Sequence, residues 1–222
     1  LDAGASSGEF VFLMQERGHA ASGIEAHEGY AAHAKEILGL CVTNAAFSEL
    51  KTDGKPHDLV TMFHVLEHLE HPVQDLARLA TTLSEEGIFV IEVPNILYRG
   101  MKFSHKWHRG HLNGFSVRTL EATALRAGLA PVFCSEIADG GNLFGVFKKC
   151  VPASEVQILQ KLGGAEHELS QLRANTAWDY YASCSTWSRM VRRLVSQIEE
   201  RETSNRYADG ASVLHAVYTC RA

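Results

Sequence analysis

The chain of 222 residues has no C-x-x-C pair, no basic stripe and no apolar run near the ~20 residues that span a bilayer. Its cysteines, Cys41, Cys134, Cys150, Cys184 and Cys220, are odd in number and scattered. That argues against a cysteine zinc site and predicts reduced thiols in a cytoplasmic protein. A net charge of −5 without clustered Lys or Arg predicts no nucleic-acid partner. No membrane span, signal peptide, internal repeat or low-complexity tract is visible. Only Leu1 precedes Asp2, where a first strand normally needs about five residues. Hydrophobic residues, at 45%, suffice for a core, and the length suits one ordinary domain plus an extension.

What is present is organised around Leu1-Asp2-Ala3-Gly4-Ala5-Ser6-Ser7-Gly8-Glu9. An apolar residue and an acid lead into Gly-x-x-x-Gly, and Phe10, Val11, Leu13 and Met14 then recur at helical spacing. The pattern predicts a strand end, a glycine turn and a helix over 7–17. Gly4 permits backbone angles closed to other residues and lets a ligand approach the main chain. Ser6 and Ser7 can cap the first helical turn. Ala20 to Ile24 ends at Glu25, where an acid at the tip of a second strand can hold ribose hydroxyls.

The rest alternates. Helix is predicted over 28–38, closed by Gly39, then a short strand over 41–43. Asp58 to Phe63 is the near-continuous apolar run of a buried parallel strand. Pro72 suits the first turn of a helix over 73–83, which Gly87 breaks before a strand over 88–93. Ser116 caps a helix over 117–127, and strands over 131–137 and 143–149 flank a Gly-Gly turn. This order predicts an α/β, Rossmann-like doubly wound sheet, mostly parallel with an antiparallel edge. Beyond Cys150 the apolar spacing turns helical, with one amphipathic helix over 188–201 and a last strand over 213–219. Two units follow: residues 1–150, and a mainly helical extension over 151–222 that packs as a lid, on the core or in a homodimer.

From residue 1 to about 149 the chain resembles class I S-adenosylmethionine (SAM)-dependent methyltransferases. The matching pieces are LDAGASSGEF, GIEAHEGYAAHAKE, DLVTMFHVLEHLEHPVQDLARLATTLSEEGIFVIEVPN and HLNGFS with its following helix. The resemblance implies seven strands with the seventh antiparallel. It also implies helices ahead of the first strand, so the N-terminal part is expected to be truncated. It implies SAM as cofactor and S-adenosylhomocysteine as product. It places Asp2, Gly4, Ala5, Ser6 and Gly8 around the amino-acid end of SAM and Glu25 on the ribose, with Ala26 and His27 beside it. An acid often meets adenine after the third strand in this family. Here that position falls at Ala45 or Ala46, so Asn44 or a backbone carbonyl takes the contact and Phe47 stacks on the ring. Phe63, His64 and Val65 end the fourth strand, on the ligand side of such a sheet.

The chain holds 12 histidines, with His64, His68 and His71 in one short cluster and His105, His108 and His111 in another. No acid-His-His set shows a recognisable ligand spacing, so no metal site is expected. His111 lies in the loop after the fifth strand, which closes over the active site in the resembling enzymes. It is the candidate base, with loop ordering as the alternative role. Tyr98, Lys102 and Arg109 could bind an anionic group. The expected reaction is in-line transfer of a methyl group to O or N of a small polar metabolite, such as a sugar or glycan precursor. A nicotinamide-dependent oxidoreductase and an inactive nucleotide-binding domain are the alternatives; G-x-G-x-x-G is absent.

Overall fold

The computed structural model describes residues 1–50, 56–100, 106–137, 139–176, 178, 181 and 184–219. Lys102, His105 and Cys220 lie outside them.

Seven strands form one sheet in the order β3-β2-β1-β4-β5-β7-β6. They are β1 (Asp2–Ala3), β2 (Gly23–Glu25), β3 (Val42–Asn44), β4 (His57–Phe63), β5 (Leu83–Pro94), β6 (Leu129–Ile137) and β7 (Asn142–Lys149). Between them run α1 (Glu9–Glu16), α2 (Glu28–Glu36), α3 (Pro72–Ala80) and α4 (Val117–Arg126). The pairs β1–β2, β2–β3, β1–β4 and β4–β5 are parallel, while β7 runs antiparallel between β5 and β6. The chain leaves β1 in one direction through β2 and β3, then returns to β4 on β1's other side. That reversal opens a crevice beyond the carboxyl ends of β1 and β4, where such sheets bind ligands.

Period-two burial sets the register. Phe89, Ile91 and Val93 of β5 are fully buried, and so are Val60 and Met62 of β4. Leu76 and Leu79 of α3 and Leu120 and Ala124 of α4 complete that core, with Leu129, Leu143 and Phe147. A second cluster under α1 and α2 joins Ala5, Val11, Phe12, Ala31, Ala34, Leu40 and Val42.

Three local expectations need correction. First, α1 begins at Glu9 with Gly8 as its cap at φ +89°, and no side chain caps it. Ser6 and Ser7 therefore lie in the turn itself. Second, α3 stops at Ala80. Thr81 and Thr82 turn their hydroxyls back onto the Arg78 and Leu79 carbonyls, which ends the helix. Leu83 then opens β5 opposite His57, and the irregular pairing before Ile88 absorbs Gly87. A Cβ on Gly87 would come within 2.8 Å of the His57 carbonyl. Third, residues 213–219 belong to a helix, α8 (Gly210–Thr219), because Leu214 and His215 pack on the α1 side of the sheet.

The residues after 150 also form α5 (Glu155–Leu162), α6 (Glu166–Ala174) and α7 (Cys184–Arg206). Ser154 caps α5 by accepting from the Gln157 amide. Arg118 of α4 meets the Glu168 carboxylate at 3.2 Å and donates to the Leu162 carbonyl, and Lys161 meets Glu121 at 2.9 Å. These contacts fasten α5 and α6 to α4. Trp187, Val191, Val195 and Ile198 form an exposed apolar stripe along α7. Among the described residues no helix is long and apolar enough to cross a membrane.

Candidate active site

The turn after β1 is built by backbone contacts. Gly4 sits at φ +84°, and its amide and that of Ala5 both donate to the Ile24 carbonyl. Gly8 closes the turn by donating to the Ala5 carbonyl. Ser6 takes φ +49°, uncommon for a residue with a side chain, and its amide donates 2.9 Å to Glu25 Oε2. The amide of His27 donates 2.7 Å to Glu25 Oε1. Two main-chain donors thus fix the Glu25 carboxylate at the tip of β2, and each oxygen keeps lone pairs for further donors.

The neighbours divide by exposure. Asn44 spends its side-chain amide on the carbonyls of Glu25 and Ala26, tying β3 to β2. Ala46 is exposed, and its amide donates to Glu49 Oε2. Phe47 is only 9% exposed and belongs to the core, so its ring is not displayed at the surface for stacking. Asp2 is buried as well, and its Oδ1 accepts a 2.6 Å bond from the Thr61 hydroxyl. Burial raises the Asp2 carboxyl above its ordinary value.

Beyond β4 the chain turns sharply. Phe63 packs edge-on against Phe10 at 5.3 Å. His64 adopts φ +55°, and Val65 fills the space above Gly4. Leu66–His68 is a single 3-10 turn, so His64 and His68 do not share an α-helical face. Glu67 is 2% exposed, and its Oε2 has no hydrogen-bond partner among the described residues. Its Oε1 lies 3.6 Å from His64 Nδ1 and 3.8 Å from His68 Nε2. Glu92 Oε1 stands 3.4 Å from His64 Nε2. The Glu67 carboxylate raises the His64 imidazole above its ordinary value, against the opposing effect of burial.

The loop after β5 folds back onto this turn. Asn113 donates its amide to the Glu67 carbonyl and its side chain to the Leu69 carbonyl. Asn95, buried at the end of β5, donates to Glu136 and the Gly140 carbonyl and accepts from the Leu97 amide. His111 is thereby set beside His68, with ring centres 5.0 Å apart, and beside His108 at 5.4 Å. Burial lowers the His111 imidazole below its ordinary value, so it stays neutral near pH 7. A cavity of about 210 Å³ opens here, bounded by Glu67, Asn95, Lys106, Trp107, His111 and Leu172. Lys106 is almost fully buried in its wall. Tyr98 gives its hydroxyl to Asp139, while Arg109 is exposed.

The fold therefore brings Asp2, Gly4, Ala5, Ser6, Gly8, Glu25 and Ala26 to one side of the crevice. Phe63, His64 and Val65 stand at the carboxyl end of β4, and His111 lies in the loop after β5. Glu67 was missed by sequence reasoning. The available signal was an acid inside Val65-Leu66-Glu67-His68-Leu69, with apolar residues on both sides. Near neutral pH this arrangement can bind a diol at Glu25 and take or hold a proton at His111.

The sequence model of a methyltransferase domain matches residues 1–132. No curated protein matches the chain. Many solved structures share the fold. The CcbJ methyltransferase from Streptomyces caelestis is 13% identical over 68% of this chain and 82% of its own, with a TM-score of 0.59. A TehB-like SAM-dependent methyltransferase from Corynebacterium glutamicum is 19% identical over 67% and 78%, with a TM-score of 0.53. The Burkholderia thailandensis 1,6-didemethyltoxoflavin-N1-methyltransferase, solved with 1,6-didemethyltoxoflavin and S-adenosylhomocysteine, is 21% identical over 68% and 70%, with a TM-score of 0.53.

Proposed function

The chain belongs to this methyltransferase family, and from that premise we propose that it transfers the methyl group of SAM to an oxygen or nitrogen of a small polar metabolite. The observation that carries the reading is the Glu25 carboxylate, held by the amides of Ser6 and His27 beside the turn at Gly4. A vicinal diol suits those two oxygens. When bound, SAM supplies an electrophilic sulfonium methyl group. Family membership favours this over hydride transfer to a nicotinamide.

The chain's own work is binding, alignment and proton handling. Gly4, Ala5, Ser6 and Gly8 with Asp2 hold the amino-acid end. Glu25 holds the ribose, with Ala26 beside it. Ala46, Asn44 and the main chain near Phe47 border the adenine end. Phe63, His64 and Val65 wall the reacting region. His111, whose imidazole burial holds below its ordinary value, orients the acceptor or takes the proton that a hydroxyl or amine releases. Buried Lys106 and exposed Arg109 lend the acceptor side positive charge, which favours an acidic or phosphorylated substrate over a greasy one. A sugar phosphate or glycan precursor is the leading class.

The free thiols of Cys41, Cys134 and Cys150 suit a reducing compartment such as the cytoplasm. The apolar stripe on α7 suits a homodimer through that helix. The test is calorimetry with SAM, followed by transfer of isotopically labelled methyl groups to a panel of sugars, sugar phosphates and amines. SAM binding with a labelled product supports the proposal. Binding of NAD with no response to SAM would sink it.

A further inference from the structure

We propose that Glu67, His68 and His111 form a binding site for one divalent cation of the zinc class, open on one side to the acceptor cavity. The three residues come from two separate segments, and each offers one ligand atom, all within 4.8 Å of one another. Metal–nitrogen and metal–oxygen bonds of about 2.0–2.2 Å place such atoms roughly 3–3.5 Å apart. Side-chain rotations of about an ångström would close the set around an ion.

Four observations point to a ligand. The first is Glu67. A carboxylate buried to 2% exposure keeps Oε2 without a hydrogen-bond partner among the described residues, while its Oε1 faces the His64 and His68 imidazoles. The second is the His68 ring. Its Nδ1 stands 2.7 Å from the Gly110 carbonyl, which can only accept, so Nδ1 carries the proton. Nε2 then keeps its lone pair and lies 3.8 Å from Glu67 Oε1. A ligating histidine is commonly oriented in this way, through its other nitrogen onto a backbone carbonyl. The third is His111, whose ring lies beside that of His68 with centres 5.0 Å apart. The fourth is the cavity of about 210 Å³, which Glu67 and His111 both line. It leaves room for water or an acceptor group at the open positions.

The donor set chooses the ion. Two imidazoles and one carboxylate suit zinc, cobalt, iron or manganese, whereas calcium and magnesium prefer oxygen ligands. His64 lies between Glu67 and Glu92 and His108 accepts from the Gly110 amide, so neither is placed in the set.

Cation binding stands on these residues alone; only its consequence rests on the methyltransferase reading. With an ion in place, the His111 lone pair is committed, and the residue's role becomes orientation. The acceptor class narrows to molecules that can place a hydroxyl or carboxylate oxygen on the ion.

The experiment titrates Co²⁺ alone into the chelator-treated full chain and follows the visible absorption of the bound ion. Saturation at one equivalent, with displacement by Zn²⁺, is expected. His68→Ala and His111→Ala should each weaken binding at least tenfold, and His71→Ala should not change it. A rise in Tm with Zn²⁺, absent in His111→Ala, gives a second readout at a half-buried loop position whose loss should not unfold the chain. No absorption change, or binding that survives both His68→Ala and His111→Ala, overturns the proposal. SAM calorimetry on the same sample separates the two readings. SAM binding without Co²⁺ binding removes the cation site alone, and the converse removes the methyltransferase reading alone.

Discussion

Val65 occupies the space that a side chain on Gly4 would need. A Cβ built on Gly4 would lie 2.3 Å from Val65 Cγ2, and Gly4 already sits at φ +84°. The end of β4 therefore rests directly on the turn that follows β1. Gly4→Ala combines left-handed strain with an overpacked contact and should cost about 2–5 kcal/mol of stability. Denaturant unfolding checks it. A variant as stable as the parent would mean that Val65 moves aside freely.

Glu25→Ala removes the carboxylate that the Ser6 and His27 amides hold in place. Both amides can turn to water, so folding should change little. SAM affinity should fall by at least about 1.5–3 kcal/mol, the scale of one lost hydrogen bond to a charged acceptor. Calorimetry on parent and variant gives the difference directly. Unchanged affinity would remove Glu25 from the ribose.

His111→Ala should lower kcat by roughly 10²–10⁴-fold with SAM affinity nearly unchanged if the imidazole takes the acceptor's proton. Rescue at higher pH would support that role. Because burial lowers its titration, activity that depends on neutral His111 should persist to lower pH than a free imidazole allows. A pH–rate profile in the parent measures this.

His64 contributes stability with a defined sign. Its folded-state value lies above the ordinary 6.5 because Glu67, and then Glu92, favour the charged ring. That contribution is fully present below pH 6.5 and is lost as pH rises through the folded value. The stability difference between parent and His64→Gln should therefore shrink on going from pH 6 to higher pH. Chemical denaturation across that range is the measurement. A difference that grows with pH would contradict the pairing with Glu67.

Arg118→Ala cuts the link from α4 to both Glu168 and the Leu162 carbonyl. Half-exposed ion pairs are weak, so global stability should fall by only about 0.5–1.5 kcal/mol. Limited proteolysis should respond more, with faster cleavage near Gly163 and Gly164 between α5 and α6. Equal cleavage rates would mean that the two helices are held by other contacts.

The alternation of strands and helices, the glycine turn and the acid at the tip of β2 were legible in the residue pattern alone. These depend on period, breakers and local backbone freedom, all of which act over a few residues. The same pattern also placed Ser116 as a cap, since that bond spans only three positions. Long-range packing settles that Phe47 is core, that Leu83 opens β5, and that residues 213–219 are helical. Each depends on a partner far along the chain: the central core, His57 and α1 respectively. The same reason hid the Glu67, His68 and His111 group. His68 and His111 are 43 residues apart in sequence, and the Asn113 bonds to the Glu67 and Leu69 carbonyls, with the His68 bond to the Gly110 carbonyl, bring their loops together. Spacing along a chain reports ligands on one element, whereas a site shared between two loops exists only once the sheet has aligned the strand ends that carry them.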